Sequence, residues 1–183
     1  MLVQYVFCDI IVSMKISRRQ FLFGSASLAA LTAAASIVPQ LGSYPPIEIH
    51  LQFLSNREAN IYRTLGNWLI PKGGPLPGSG GDDETLMGID AMFVDIPSAQ
   101  RNLLLALPLV FEHGTALNRF ASQRLTKLSP EARDAYLLSW TQSDNIIQAQ
   151  LLAALKTMYA FSYFERLDVL KAMGLDPHCA VQV

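Results

Sequence analysis

The sequence predicts a small all-α domain of about six helices behind an N-terminal targeting segment. Two helix starts are marked by their residue types, Ser55 followed by Glu58 and Ser129 followed by Pro130. In each, the serine oxygen can accept an amide hydrogen that the first helical turn leaves unpaired. We find no run of alternating apolar and polar residues long enough to predict a strand. A chain of 183 residues is expected to form one domain, with a core that needs no disulfide.

The first predicted helix begins after Ser55 and ends before Pro71, which cannot continue it. Its apolar residues recur at helical spacing: Ile61, Tyr62, Leu65, Trp68 and Leu69. The next segment, Lys72 to Asp83, holds five glycines and two prolines. It lacks the Gly-Lys-Ser/Thr sequence of a phosphate-binding loop and ends in acidic residues, so we expect a flexible surface loop.

Two helices are predicted in the middle of the chain. A short one covers about Asp83 to Val94, with acidic residues in its first turn. The other begins near Ser98, and Pro108 is expected to kink or split it. A further helical segment is predicted from Thr115 to Arg124.

Three helices are predicted in the last third of the chain. One begins at Ser129, and Asp144 is expected to cap the next. That helix carries apolar residues at three- and four-residue spacing: Ile147, Leu151, Leu155 and Met158. Gly174 is expected to end the last helix, and Pro177 lies just beyond it.

The N-terminal segment, residues 1–35, has the order of an export signal. A twin-arginine pattern is formed by Ser17, Arg18, Arg19, Phe21 and Leu22. An uncharged, alanine-rich stretch follows, and Ala33-Ala34-Ala35 offers a cleavage site. We therefore expect export by the twin-arginine translocase to a periplasmic compartment. The alternative is a retained membrane anchor, since 18 uncharged residues just reach the spanning length. Met14 is the better candidate for the true start.

The remaining chain divides into three parts by composition. Residues 36–52 contain three prolines and are expected to form an extended tether. Residues 53–177 form the helical domain, and residues 178–183 form a tail. The signal segment holds three of the 14 basic residues and one of the 15 acidic ones, which leaves a net charge of about −3. Nothing in this balance favours nucleic acid as a partner. Cys179 is then alone in the mature chain, and we assign it no role.

The sequence offers little for catalysis. The three histidines, His50, His113 and His178, do not pair with one another or with a cysteine at metal-ligand spacing, so we expect no metal site. Glu112-His113-Gly114 could carry a general base, but a lone histidine there is more often structural. We therefore assign no catalytic residue and no cofactor to this chain.

Aromatic side chains provide the more informative pattern. Four rings fall within six residues, 159–164, so they must point to several sides of a helix or turn. Aromatic residues are favoured at the buried centres of protein interfaces. The predicted partner interface consists of Trp68, Trp140, Tyr159, Phe161, Tyr163 and Phe164. The alternative is that all of these rings belong to the core.

Short motifs along residues 53–175 resemble one known family. They are Asn67-Trp68-Leu69-Ile70-Pro71, Gly88-Ile89-Asp90, Leu128-Ser129-Pro130-Glu131-Ala132-Arg133, Leu138-Ser139-Trp140, Leu155-Lys156-Thr157 and Leu170-Lys171-Ala172-Met173-Gly174. With the twin-arginine signal, they resemble the small subunit of gluconate 2-dehydrogenase and related FAD-dependent sugar and alcohol dehydrogenases, the subunit 3 family. Phe23 departs from the signal pattern, in which a lysine is common at that position.

The resemblance implies a non-catalytic accessory subunit. Its large partner would be a flavoprotein dehydrogenase of the glucose–methanol–choline type that holds the FAD, and a membrane cytochrome c would accept the electrons. The small subunit would carry the export signal for both chains. The alternative function is a free-standing periplasmic helical protein that binds an apolar ligand.

Overall fold

The computed structural model describes residues 44–117 and 123–175 of the chain. Six α-helices and one 3₁₀ turn lie in these ranges: α1 Asn56–Leu69, α2 Asp83–Met92, α3 Ser98–Leu117, the 3₁₀ turn Leu125–Lys127, α4 Pro130–Thr141, α5 Ile146–Phe164 and α6 Leu167–Ala172. No strand occurs in the described ranges. The predicted all-α class is confirmed.

The predicted helix starts are formed by the expected side chains. Ser55 accepts from the Glu58 amide, and the Glu58 carboxylate accepts in return from the Ser55 amide at 2.8 Å. Ser129 likewise accepts from the Ala132 amide. The prediction that Asp144 caps the long helix is wrong, because Asn145 accepts from the amides of residues 147 and 148. At the other end of the domain, Gly174 has the left-handed φ of +73° that ends α6.

Pro108 does not split its helix. Residues 98–117 form one continuous helix with the proline inside it, so of the two predicted outcomes, a kink or a split, the split is wrong. A proline removes the hydrogen bond to the carbonyl four residues earlier, here that of Leu104. The Tyr62 hydroxyl of α1 donates to this carbonyl at 3.0 Å. The tertiary fold thus supplies the donor that the proline lacks, and α3 continues.

Tyrosine hydroxyls hold the core together at three further points. Tyr159 donates to the backbone carbonyl of Tyr62, Tyr136 to that of Phe111, and Tyr163 to that of Pro77. All four tyrosines of this set are buried. Because a buried hydroxyl is costly unless it is hydrogen-bonded, each of these rings is fixed in position as well as buried.

The glycine-rich segment packs tightly against α1. The Gly80 amide donates to the Ile70 carbonyl at 2.9 Å, and residues 79–81 are buried. A Cβ atom on Gly66 would lie 2.1 Å from the Gly80 carbonyl oxygen. The glycines at this contact therefore allow two backbones to touch. The expectation of a surface loop holds for residues 72–75, which are exposed, but is wrong for residues 79–81.

Candidate interaction surface

Helix α5 carries four of the six predicted interface aromatics and only one charged residue, Lys156. One side of this helix belongs to the core through Leu151, Leu155, Met158, Tyr159, Ser162 and Tyr163. The opposite side is exposed at Ile146, Ala149, Ala153, Lys156, Thr157, Phe161 and Phe164. A helix whose solvent side is mostly apolar departs from the usual amphipathic pattern.

Tyr159 and Tyr163 lie inside the domain, each only 1% exposed. The Tyr159 ring meets that of Tyr62 edge to face, with centroids 6.3 Å apart. Burial raises the pKa of the Tyr159 hydroxyl well above its usual value, and the nearby Tyr62 adds to this. These two side chains are core residues, and their assignment to a partner surface is corrected.

The two predicted tryptophans differ in position. Trp140 is 3% exposed and stacks on Phe111 at 4.4 Å between ring centroids. It is therefore also a core residue and is removed from the predicted interface. Trp68 lies half-buried near the end of α1. Its side chain is not part of the surface described next.

Phe161 and Phe164 are the exposed members of the aromatic run. Their side chains are 51% and 40% exposed, and they lie three residues apart on one side of α5. Phe164 also contacts Tyr163 edge to face at 5.3 Å. This pair of exposed large apolar side chains is a candidate interaction site.

Helix α2, which packs on α5, also exposes apolar side chains. It runs antiparallel to α5, since Gly88 faces Ser162 while Arg166 bonds Thr85 at 3.1 Å. Met87, 44% exposed, and Ala91 are exposed on α2, as the two phenylalanines are on α5. We call the exposed apolar residues Met87, Ala91, Phe161 and Phe164 of these two helices the α2–α5 surface.

An ion-pair cluster fixes the junction beside this surface. The guanidinium of Arg166 lies 2.8 Å from Asp168 and 3.6 Å from Asp82, and over the Tyr163 ring at 5.4 Å. Burial acts to raise the pKa of Asp82, but two hydrogen bonds from Ser79 and the charge of Arg166 outweigh it and hold that pKa below its usual value. The cluster joins the start of α2 to the end of α5.

A polar cleft of about 470 Å³ lies next to the glycine-rich segment. Its walls include the ion pair of Arg63 with Asp83, together with Lys72 and Glu84. Three acidic side chains line it, which disfavours phosphate. Its polar walls are equally unsuited to an apolar ligand.

Glu112, in the Glu112-His113-Gly114 sequence that could carry a general base, is part of a structural network. The Glu112 carboxylate is fully buried and accepts from the Tyr44 hydroxyl at 2.9 Å and from the Thr126 amide and hydroxyl at 3.0 and 2.6 Å. Arg124 lies 3.4 Å from it. Burial is the main cause that lowers the pKa of the neighbouring His113. Both Glu112 oxygens are therefore committed to holding the fold.

Several predicted residues lie outside the described ranges. They include the twin-arginine residues Ser17, Arg18, Arg19, Phe21 and Leu22, and also His178 and Cys179. Within residues 44–117 and 123–175, no group of three or more His, Cys, Asp or Glu residues could hold a metal ion. No helix in those same ranges is both long and apolar enough to cross a membrane.

Comparisons with family models, curated proteins and solved structures found no match to this chain.

Two buried carboxylates, Glu112 and Asp90, bind residues 44–54, and this role was not predicted from the sequence. Asp90 accepts three backbone amides, from residues 52, 53 and 54, at 2.7 to 2.9 Å. Residues 46–52 alternate between half-buried Ile47, Ile49 and Leu51 and exposed neighbours. The sequence does contain this one alternating run, contrary to the expectation of none, and the run could have identified an extended segment lying on the domain.

Proposed function

We propose that this chain is a non-catalytic accessory subunit that binds an FAD-dependent dehydrogenase of the glucose–methanol–choline type and is exported with it by the twin-arginine route. The observation that carries this proposal is the α2–α5 surface. An exposed phenylalanine pair on α5, with Met87 exposed on the helix that packs against it, fits a subunit that exists to hold another protein. The resemblance of the signal and of the motifs in residues 53–175 gives the class of partner.

The arrangement of the described residues supports binding over catalysis. The buried titratable groups Glu112, Asp90 and Tyr159 are each bonded to backbone or to a structural partner. Catalytic groups, in contrast, need a free position toward a substrate. The apolar α2–α5 surface has the composition of an interface centre, where aromatic side chains and Met are enriched. The periplasm is the proposed location, and a membrane cytochrome c is the proposed acceptor of the partner's electrons.

A capture experiment tests the proposal. The full chain is co-expressed with a flavoprotein dehydrogenase of the glucose–methanol–choline type from the same source, and the captured flavoprotein is quantified by the visible absorbance of FAD. Phe161→Ala and Phe164→Ala are each expected to weaken capture by about 2–4 kcal/mol, or about thirtyfold to a thousandfold in Kd. Both variants should keep their helical content.

Leu138→Ala is the matched control, because Leu138 is 50% exposed but lies on α4. It should capture the flavoprotein as well as the wild type does. Equal capture by all three variants would overturn the interface. If the chain were purified with one equivalent of an apolar small molecule and without a flavoprotein, the ligand-binding alternative would be favoured.

Export has its own test. Replacing Arg18 and Arg19 with Lys keeps their charge but removes the planar set of donors of each guanidinium. We expect this double variant to stay in the cytoplasm with its flavoprotein. Normal periplasmic yield of the variant would contradict the twin-arginine route.

A further inference from the structure

The methionine side chains of the domain differ widely in their access to solvent. The described part of the chain contains four of them, Met87, Met92, Met158 and Met173. Met158 is 4% exposed, and its sulfur lies 3.8 Å from the Tyr62 hydroxyl oxygen in the core. Met92 is half-buried, whereas Met87 and Met173 are 44% and 45% exposed. An oxidant in solution therefore reaches the side chains of Met87 and Met173 most readily.

Of these two methionines, only Met87 belongs to the α2–α5 surface. Met173 follows α6, near the end of the described chain. Met87 shares α2 with the exposed Ala91, and α2 packs on the helix that exposes Phe161 and Phe164. Methionine is enriched at interface centres, where its apolar and flexible side chain adapts to a partner. A polar atom added to Met87 is therefore added to the surface that is proposed to bind the flavoprotein.

The position of helix α2 is fixed by its contacts with other elements. A Cβ atom on Gly88 would lie 3.0 Å from a side-chain atom of α5, so the two helices already touch at this point. Thr85 bonds Arg166 at 3.1 Å, and Asp90 accepts three backbone amides. These contacts lie before and after Met87 on the same helix, and rotation of α2 to bury Met87 would break them. A chemical change at Met87 is therefore expected to alter the surface and to leave the fold intact.

We propose that Met87 is an oxidation site that controls binding of the partner to the α2–α5 surface. The proposal rests on the proposed function for the class of that partner, and the oxidant is a peroxide. Hydrogen peroxide transfers one oxygen atom to the thioether sulfur of Met87. A sulfur lone pair forms the new S–O bond, the O–O bond breaks, and the second oxygen leaves as water. The sulfur loses two electrons and the peroxide gains them.

The sulfoxide makes the surface less suited to an apolar partner. An apolar, flexible side chain becomes a polar one with an oxygen that accepts hydrogen bonds. Burial of that oxygen against an apolar surface, without a donor, is unfavourable, so the oxidised chain binds its partner more weakly. A partner that already covers Met87 keeps the peroxide away from the sulfur. Oxidation therefore acts on unassembled chains, and assembled chains are protected.

The first test compares the oxidation rates of three methionines in the isolated full chain and in its complex with the flavoprotein. Both samples are treated with hydrogen peroxide, and the sulfoxide in peptides that contain Met87, Met158 and Met173 is followed by mass spectrometry. In the isolated chain, we expect Met87 and Met173 to oxidise severalfold faster than Met158. In the complex, Met87 should become as slow as Met158, while Met173 should remain fast.

The second test measures capture of the flavoprotein by treated chains. Peroxide should weaken capture by the wild type by about tenfold or more in Kd, as expected for one buried polar atom without a partner. Helical content should not change. In Met87→Leu, which has no thioether at this position, treatment should not change the Kd from the untreated value of that variant. Met173→Leu is the matched control, since it removes the other exposed methionine. It should capture the flavoprotein as the wild type does and should lose capture on treatment.

Three outcomes would overturn the role of Met87. If Met87 oxidised as slowly as Met158 in the isolated chain, its sulfur would not be accessible. An equal loss of capture in treated Met87→Leu would place the effect at another group, such as one of the two cysteines. A loss of helical content in the treated wild type, but not in treated Met87→Leu, would show that the sulfoxide acts through the fold.

The proposed function fails on different readouts. If the untreated wild type captured no flavoprotein, the accessory role would be wrong, whereas the rates of Met87 and Met158 in the isolated chain would still test the oxidation site. If the wild type captured the flavoprotein but Met87 oxidised equally fast in the free and bound chains, the accessory role would stand. The control of binding by Met87 would then be wrong, because the partner would bind elsewhere.

Discussion

The two sides of helix α5 contrast in a way that composition alone does not suggest. Its tyrosines, Tyr159 and Tyr163, are buried, whereas Phe161 and Phe164, the more apolar rings, are exposed. The tyrosines are buried because each hydroxyl reaches a backbone carbonyl and fixes one element against another. The phenylalanines contribute nothing comparable to the fold. This difference separates rings that hold this domain from rings that are available to a partner.

The largest expected effect on the free energy of unfolding tests directly whether the buried tyrosines, and not the exposed phenylalanines, hold the fold. Tyr159→Ala should lower the free energy of unfolding by about 3–5 kcal/mol, because it leaves a cavity in the core. Phe161→Ala should change it by about 0.5 kcal/mol or less, as is usual for surface substitutions. Urea unfolding followed by circular dichroism measures both. Similar losses in the two variants would mean that Phe161 belongs to the fold.

A smaller effect tests the role of the hydroxyl groups. Tyr62→Phe keeps the ring but leaves the Leu104 carbonyl without its donor at the proline. We expect a loss of about 1–3 kcal/mol in the free energy of unfolding. Phe161→Tyr, which adds a hydroxyl on the exposed side, is the control and should be nearly neutral. A neutral Tyr62→Phe would show that this carbonyl finds another donor.

The smallest effect concerns the ion-pair cluster at the end of α5. The pKa of Asp82 is held below its usual value in the folded state. Its contribution to stability is therefore complete above the unfolded pKa, about 3.9, and is lost as pH falls through the folded pKa. Since the side chain is partly exposed, this contribution should be less than about 1 kcal/mol.

Unfolding of the wild type and of Asp82→Asn at neutral pH and below about pH 4 measures the contribution of Asp82. The difference in unfolding free energy between the two proteins should shrink as the solution becomes more acidic. A difference that grew on acidification would reverse the assigned sign. Arg166 would then have to be stabilised mainly by Asp168.

The helix starts were predictable because their signals are local. Ser55 bonds with Glu58, and Ser129 accepts from the Ala132 amide just after Pro130 opens the helix, so each signal lies within one turn. The continuity of α3 was not predictable, since the donor that compensates for Pro108 lies 42 residues from the Leu104 carbonyl that it satisfies. The sequence around Pro108 indicates only that the backbone hydrogen bond to the Leu104 carbonyl is lost.

The candidate surface was predictable only in part. The dense aromatic run at 159–164 indicated rings on several sides of a helix, and Phe161 and Phe164 are indeed exposed. Which rings point outward depends on where α2 packs, and Gly88 opposite Ser162 sets that position. Met87 could not be assigned to this surface from sequence, because α5 is more than 50 residues away along the chain. The binding of residues 44–54 to the domain was missed because Glu112 and Asp90, which hold this segment, are also distant in sequence.

Pro108 has a consequence for the order in which the domain folds. In an isolated helix, an interior proline costs about 3 kcal/mol, so the two halves of α3 are expected to form separately at first. They become one helix when α1 docks and its Tyr62 hydroxyl satisfies the Leu104 carbonyl. Joining of the halves is then a late event that depends on a neighbour. Mutations at Tyr62 should therefore speed unfolding more than they slow folding.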